Sequence, residues 1–221
     1  MIISFSSVKG GVGKTVLAFN ISTALAMRGH SVLYVDCSHD LDVENIFSTR
    51  NLLPEGDVHK VEYVDGRKNL GVLIAVNRDK FDYIIVDACS LYNPDIKDVV
   101  FLQSDILISP IRPALLDLVT LPTVELTCAH AKTFSPKLRA YCLITMAPNE
   151  VGVDPEVSEI QGAIDCIKQN YLELPLLQTT IGDLREFRDS LLGGRGIVEF
   201  EGGENFGADN INALLKELLN V

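Results

Sequence analysis

Three shortages bound this 221-residue chain. It contains no apolar run of about 18 residues, the length a membrane-spanning helix needs, so no transmembrane helix is expected. Its apolar start, residues 1–5, is too short for a secretory leader and runs directly into a glycine-rich turn, which points to a cytoplasmic protein. Cysteine is sparse. The five residues (Cys37, Cys89, Cys128, Cys142 and Cys166) are widely spaced with no C-x-x-C pair. They read as reduced thiols packed as small core residues, and they argue against a zinc or iron–sulfur site. Positive charge is also scarce. Nineteen Lys and Arg face 30 Asp and Glu, for a net charge of −11. Bulk electrostatics therefore oppose nucleic-acid binding, and any such contact has to come from a local patch. The basic residues that cluster in sequence are Lys132, Lys137 and Arg139, then Arg185, Arg188 and Arg195.

What is present is a large supply of core. Apolar residues make up 47% of the chain and charged ones 22%, enough to build one domain over 1–221. Short apolar runs alternate with helical patterns, the signature of a parallel sheet covered by helices. Strands are predicted at 2–5, 32–35, 83–86, 106–108 and 141–144. A weaker one at 174–177 carries Pro175 and suits an edge. Helices are predicted at 14–28, about 67–77, 96–103, 115–130, 155–170 and 208–219. Gly29 suits the position just past the end of the first helix. Asp154-Pro155-Glu156 has the form of a helix start. The stretch 51–64 shows no clear pattern. The predicted fold class is α/β: a mostly parallel twisted sheet with helices on both faces.

The most specific motif is Val8-Lys9-Gly10-Gly11-Val12-Gly13-Lys14-Thr15, between the first strand and the first helix. Backbone N–H groups in such a turn converge on phosphate oxygens, and glycines permit the close approach. Lys14 is placed to reach the β- and γ-phosphates, and the Thr15 hydroxyl to hold Mg²⁺. The candidate nucleotide-binding residues are Lys9, Gly10, Gly11, Val12, Gly13, Lys14, Thr15 and Val16. Two aspartates end strands at the edge where open α/β sheets bind ligands, Asp36 and Asp87. Asp87 closes the run Tyr83-Ile84-Ile85-Val86-Asp87, a Walker B pattern. With Thr15, these two are the candidate Mg²⁺ residues.

The second lysine, Lys9, directly before the double glycine makes this a deviant Walker A loop, and in it the chain resembles the ParA/MinD family of ATPases. The likeness is nearest to small plasmid-partition ParA proteins, whose C-terminal pattern is similar to Thr179-Thr180-Ile181 with Arg185, Phe187, Ser190, Gly194, Gly196, Ile197 and Val198. The resemblance implies ATP and Mg²⁺ as cofactors and a homodimer when ATP is bound, with Lys9 reaching the nucleotide of the other copy. It also implies an adaptor of ParB-like kind and non-specific DNA as partners. Arg185, Arg188 and Arg195 are the matching kind of DNA-contacting residue; a solvated face balanced by Asp183, Glu186 and Asp189 is the equal alternative. Arg112, after the run 104–111, is a candidate subunit contact or an ordinary surface arginine. The last helix carries too few basic residues for a membrane-targeting tail.

One departure stands out. The family's second strand ends Asp-x-Asp-Pro-Gln, and this chain reads Asp36-Cys37-Ser38-His39-Asp40. Ser38 takes the place of the carboxylate that orients the attacking water. A serine cannot act as a carboxylate base. Lys9 and Lys14 are thus candidate catalytic residues, with Asp40 a possible substitute for the missing acid. The bland reading of Asp40, Asp42 and Glu44 is an acidic helix start. Slow ATP hydrolysis is the expectation. The rival is an ATP-binding regulatory or interaction protein with little or no turnover. A metabolic ligase or synthase on the same fold is disfavoured by Lys9.

Overall fold

The computed structural model describes residues 1–38, 42–88, 94–148, 158–200 and 205–219. Six strands form one sheet: β1 (Ile2–Phe5), β2 (Val32–Asp36), β3 (Glu62–Asp65), β4 (Tyr83–Asp87), β5 (Ile106–Ile111) and β6 (Arg139–Ile144). Their order is β3-β2-β4-β1-β5-β6, and every neighbouring pair is parallel. The helices are α1 (Lys14–Met27), α2 (Asp42–Arg50), α3 (Leu70–Asn77), α4 (Pro94–Gln103), α5 (Leu115–Leu118), α6 (Leu121–Phe134), α7 (Glu159–Asn170), α8 (Arg185–Leu192) and α9 (Phe206–Leu219). A 3-10 turn covers Ile197–Glu199.

The central strands are apolar on both faces because both faces are covered. Their side chains alternate between two cores. Ile2, Leu33, Val35, Ile84, Val86 and Leu107 pack with residues of α3, α4, α6 and α7. Ile3, Phe5, Val32, Tyr34, Ile85 and Ile106 pack with α1, α8 and α9. Gly29 follows α1 with φ +89°, in the left-handed region predicted for it, and its N–H closes on Ala26 O.

Several predicted boundaries move, each for a local reason. β3 lies partly in the unreadable stretch; as an edge strand with outward Glu62 and Asp65 it lacks the apolar run of its neighbours. The 174–177 segment is no strand. It only flanks β6, giving Cys142 N–H an acceptor at Pro175 O and donating Leu177 N–H to Cys142 O. The helix predicted at 115–130 is split into α5 and α6, with Pro122 in the first turn of α6; proline's ring crowds the carbonyl four residues back and supplies no N–H. α3 starts at Leu70 instead of 67, because Asn69 takes a left-handed φ of 61° and Arg67 folds back onto Asp65. Ser158 caps α7 by accepting from Gln161 N–H at 2.9 Å. The helix start expected at 154–156 lies outside the described residues.

A buried ion pair ties the 3-10 turn after α8 to the end of α2. The Arg50 guanidinium grips Glu199 through both oxygens at 2.7 Å, with side chains 3% and 1% exposed. Glu199 also accepts from His59 N–H at 2.9 Å and Gly196 N–H at 2.8 Å. All its strong acceptor positions are used. Burial alone would raise this carboxyl; Arg50 and the two backbone donors outweigh it and hold it below the ordinary 4.5. Removing one member of such a pair leaves the other charge buried, at about 3–5 kcal/mol. Glu199→Gln is therefore expected to lower unfolding free energy on that scale in denaturant titration. Because the folded pKa is depressed, the stabilisation is complete above about pH 4.5 and is lost as pH falls below it. The variant should show a flatter acid limb than the wild type, and equal acid limbs would refute the role.

Candidate nucleotide-binding site

The loop from Ser7 to Gly13 leaves the C-terminal end of β1, the middle of the sheet, and ends where α1 begins. Gly11 and Gly13 have φ of +70° and +87°, conformations that strain any L side chain. Thr145, at the end of β6, donates its hydroxyl to Val12 O at 2.9 Å and anchors the loop to the sheet.

The two lysines point to different partners. Lys14 donates to Lys9 O at 3.0 Å and Ser7 Oγ at 3.1 Å, folding over its own loop. Lys9 sends Nζ to Asp117 Oδ1 at 2.6 Å and is 33% exposed. Asp117 is 2% exposed and takes Arg112 on the same carboxylate, at 2.7 and 3.2 Å. Burial works to raise the Asp117 carboxyl; the Arg112 and Lys9 hydrogen bonds prevail and hold it below its ordinary value.

One carboxylate, Asp87, meets the start of α1, and a second, Asp36, ends the strand beside it. Asp36 and Asp87 end adjacent strands in register. The Thr15 hydroxyl donates to Asp87 Oδ2 at 2.7 Å. The Tyr34 phenol donates to the same oxygen at 2.9 Å. Asp87 Oδ1 is buried with no hydrogen-bond partner among the described residues. Burial pushes the Asp87 carboxyl up to about 6, against the pull of the Thr15 and Tyr34 donors. Asp36 Oδ1 accepts Ser38 N–H at 2.8 Å and Ser38 Oγ–H at 2.6 Å, and Oδ2 accepts the Tyr63 phenol at 3.2 Å. These residues fit Mg²⁺. Thr15, its proton committed to Asp87, presents lone pairs, and the unpartnered Oδ1 suits a metal-bound water.

The fold thus brings together the whole predicted loop, Lys9 to Val16, with Asp36 and Asp87. Asp40 and Cys89 lie outside the described residues. Of the three arginines, Arg188 lines the cleft beside Gly13 and Val16 while Arg185 and Arg195 do not, and each is ion-paired. Arg185 meets Asp189 at 3.2 Å, Arg188 meets Asp183 at 3.0 Å, and Arg195 meets Asp57. Sequence reading missed Tyr34, Tyr63, Asp117 and Thr145. It also missed an apolar cleft beside α1 walled by Val16, Leu17, Met146, Ile181, Leu184 and Phe187. Met146 there has a φ of 49°, unusual for a side-chain-bearing residue. The visible signal was one phenol, Tyr34, inside the otherwise apolar run 32–35.

The model of the CobQ/CobB/MinD/ParA nucleotide-binding domain matches residues 3–219. The chain belongs to this family. Among relatives of the MinD/ParA domain, it is 23% identical over 222 residues to the maintenance of carboxysome distribution protein A of Halothiobacillus neapolitanus, covering 98% of this chain and 95% of that one. Its fold is similar to that of a plasmid partition protein of Borrelia burgdorferi bound to AMPPNP, at TM-score 0.70 and 14% identity, covering 99% and 98% of the two chains. It is also similar to the septum site-determining protein MinD of Pyrococcus horikoshii with Mg-ADP, at TM-score 0.69 and 20% identity, covering 99% and 95%. No helix among the described residues is long and apolar enough to cross a membrane.

If the loop 9–15 binds phosphate, Lys14→Ala is expected to remove a charge-assisted contact worth about 1.5–3 kcal/mol. Calorimetry should show ATP affinity falling by roughly ten- to hundredfold. Unchanged affinity would refute the assignment.

Proposed function

We propose that this protein is an ATP-dependent dimerising switch of ParA type, acting in DNA segregation or cargo positioning with slow hydrolysis. The observation that carries the reading is the divergence of the two loop lysines. Lys14 folds over its own loop, while Lys9 turns away from that loop onto Asp117, from which it would move to reach the nucleotide of a second copy. The phosphates would lie along the N–H groups of the loop 9–15, with the base in the apolar cleft beside Val16 and Met146. Thr15, Asp36 and Asp87 would hold Mg²⁺ directly or through water. Bound Mg²⁺ supplies positive charge to the β- and γ-phosphate oxygens.

The named relatives support positioning and partition as the class of work: carboxysome distribution in one, plasmid partition in another. A ParB-like adaptor and non-specific DNA are the partners this reading assigns. DNA contact through Arg185, Arg188 and Arg195 requires Asp189, Asp183 and Asp57 to give way to phosphate, and it would be steeply salt-dependent. A cytoplasmic location accords with the reading.

Ser38 favours a second reading, an ATP-binding regulatory protein with very little turnover. Its hydroxyl donates to Asp36, and a neutral hydroxyl is too weak a base to take a proton from water. Asp40 is the nearby acid that could stand in.

Light scattering tests the switch. ATP should convert monomer to dimer and ADP should not, and Lys9→Ala should keep nucleotide binding while losing the dimer. One mass in the apo, ADP and ATP states would overturn the sandwich.

Turnover tests the loop after β2. Ser38→Asp should raise steady-state phosphate release by roughly 10²-fold, the scale of a general-base contribution, with Asp40→Ala silent. A large loss in Asp40→Ala, with no gain in Ser38→Asp, would show that Asp40 has taken over.

A further inference from the structure

Tyr34 sits where a parallel strand buried on both faces ordinarily places an aliphatic residue. It is two residues before Asp36 on β2, in register with Ile85 of β4, and fully buried. A phenol hydroxyl in that position is costly unless it is hydrogen-bonded. Its partner is Asp87 Oδ2, the oxygen that Thr15 also uses. The ring has little freedom to leave. Phe47 of α2 packs on it at 5.0 Å between centroids, and Tyr63 of β3 stacks at 6.4 Å. Phe47 is itself held by Tyr63 at 4.8 Å and by Phe19 of α1 at 5.5 Å. Four aromatic side chains from two strands and two helices therefore fix one hydroxyl.

The consequence falls on Asp87. With two donors from opposite elements on Oδ2, the carboxylate cannot rotate without breaking both bonds. Oδ1 is left buried and without a partner among the described residues. We infer that Tyr34 is a positioning residue for magnesium: its phenol and the Thr15 hydroxyl lock one oxygen of Asp87, and the other is held ready for a metal-bound water. The inference rests on the reading of this loop as an ATP–Mg²⁺ site. It adds a residue to that site that the phosphate-loop motif does not include. A purely structural Tyr34 would have its hydroxyl satisfied by Asp87 with no consequence for metal.

The two roles separate in Tyr34→Phe, which keeps the ring and its packing. Binding of a fluorescent ADP analogue is measured first in EDTA and then across a magnesium titration. Affinity in EDTA should stay within about twofold of wild type, since no phosphate donor has changed. The magnesium midpoint should move up by about tenfold, the scale of one hydrogen bond to an ionised acceptor. Placing 4-aminophenylalanine at position 34, which restores a para donor, should bring the midpoint back. If Tyr34→Phe does not fold, 4-fluorophenylalanine at position 34, which fills the hydroxyl's place without a donor, carries the test: a midpoint raised about tenfold with EDTA affinity kept supports the role, and an unchanged midpoint overturns it. A folded Tyr34→Phe with an unchanged midpoint, or with equal losses in EDTA and magnesium, also overturns it. Wild-type binding that ignores both magnesium and Lys14→Ala would instead overturn the nucleotide reading itself.

Discussion

Thr15 meets Asp87 at 2.7 Å because β1 and β4 are hydrogen-bonded neighbours. The loop leaves β1 at Phe5, and Phe5 is in register with Asp87. One pairing thus sets the distance between the start of α1 and the acid at the end of β4. The next pairing, β4 with β2, puts Asp36 level with Asp87. The candidate site is these three strand ends plus the helix that follows the first. A slip of one residue in either pairing would turn an aspartate to the other face of the sheet. The two packed cores, which hold the strands in register, are therefore also what holds the site's geometry.

The acidic balance of the chain takes a definite form in the fold. Arg50 is enclosed with Glu199, Arg112 and Lys9 share Asp117, and Arg185, Arg188 and Arg195 each have an aspartate. The pairs differ in consequence. The Arg50–Glu199 pair is buried and joins distant segments, so its loss is expensive. The Arg185 and Arg188 pairs on α8 are exposed, and such pairs contribute little to stability; Arg195, with Asp57, is half-buried. Asp117 lies between these cases. It holds two cations, so it would keep Arg112 when Lys9 turns elsewhere.

Much of this was legible in the residues. The phosphate loop, the strand-ending aspartates and the parallel α/β class all show in local pattern, because continuous apolar runs and glycine spacing record backbone needs directly. The replacement at Ser38 was also visible, as a mismatch to the resembled pattern. What stayed hidden depends on packing between segments. The edge strand β3 has polar outer residues and no apolar run. Pro122 broke a helix whose periodicity runs on through it. Asp117 looks like any acid on a short helix until Lys9, 108 residues away, is brought to 2.6 Å.

The sequence alone determined the fold class and the composition of the phosphate loop, since both follow from interactions within a few residues. The tertiary structure decided which hydroxyls and carboxylates meet. Tyr34 could have been read as one more large core residue of β2. Its meaning comes from β4 lying beside β2, which brings its phenol to Asp87, and from Phe47 and Tyr63 closing around the ring. Hydrogen bonds between strands are set by sheet order, and no local pattern along the chain specifies that order.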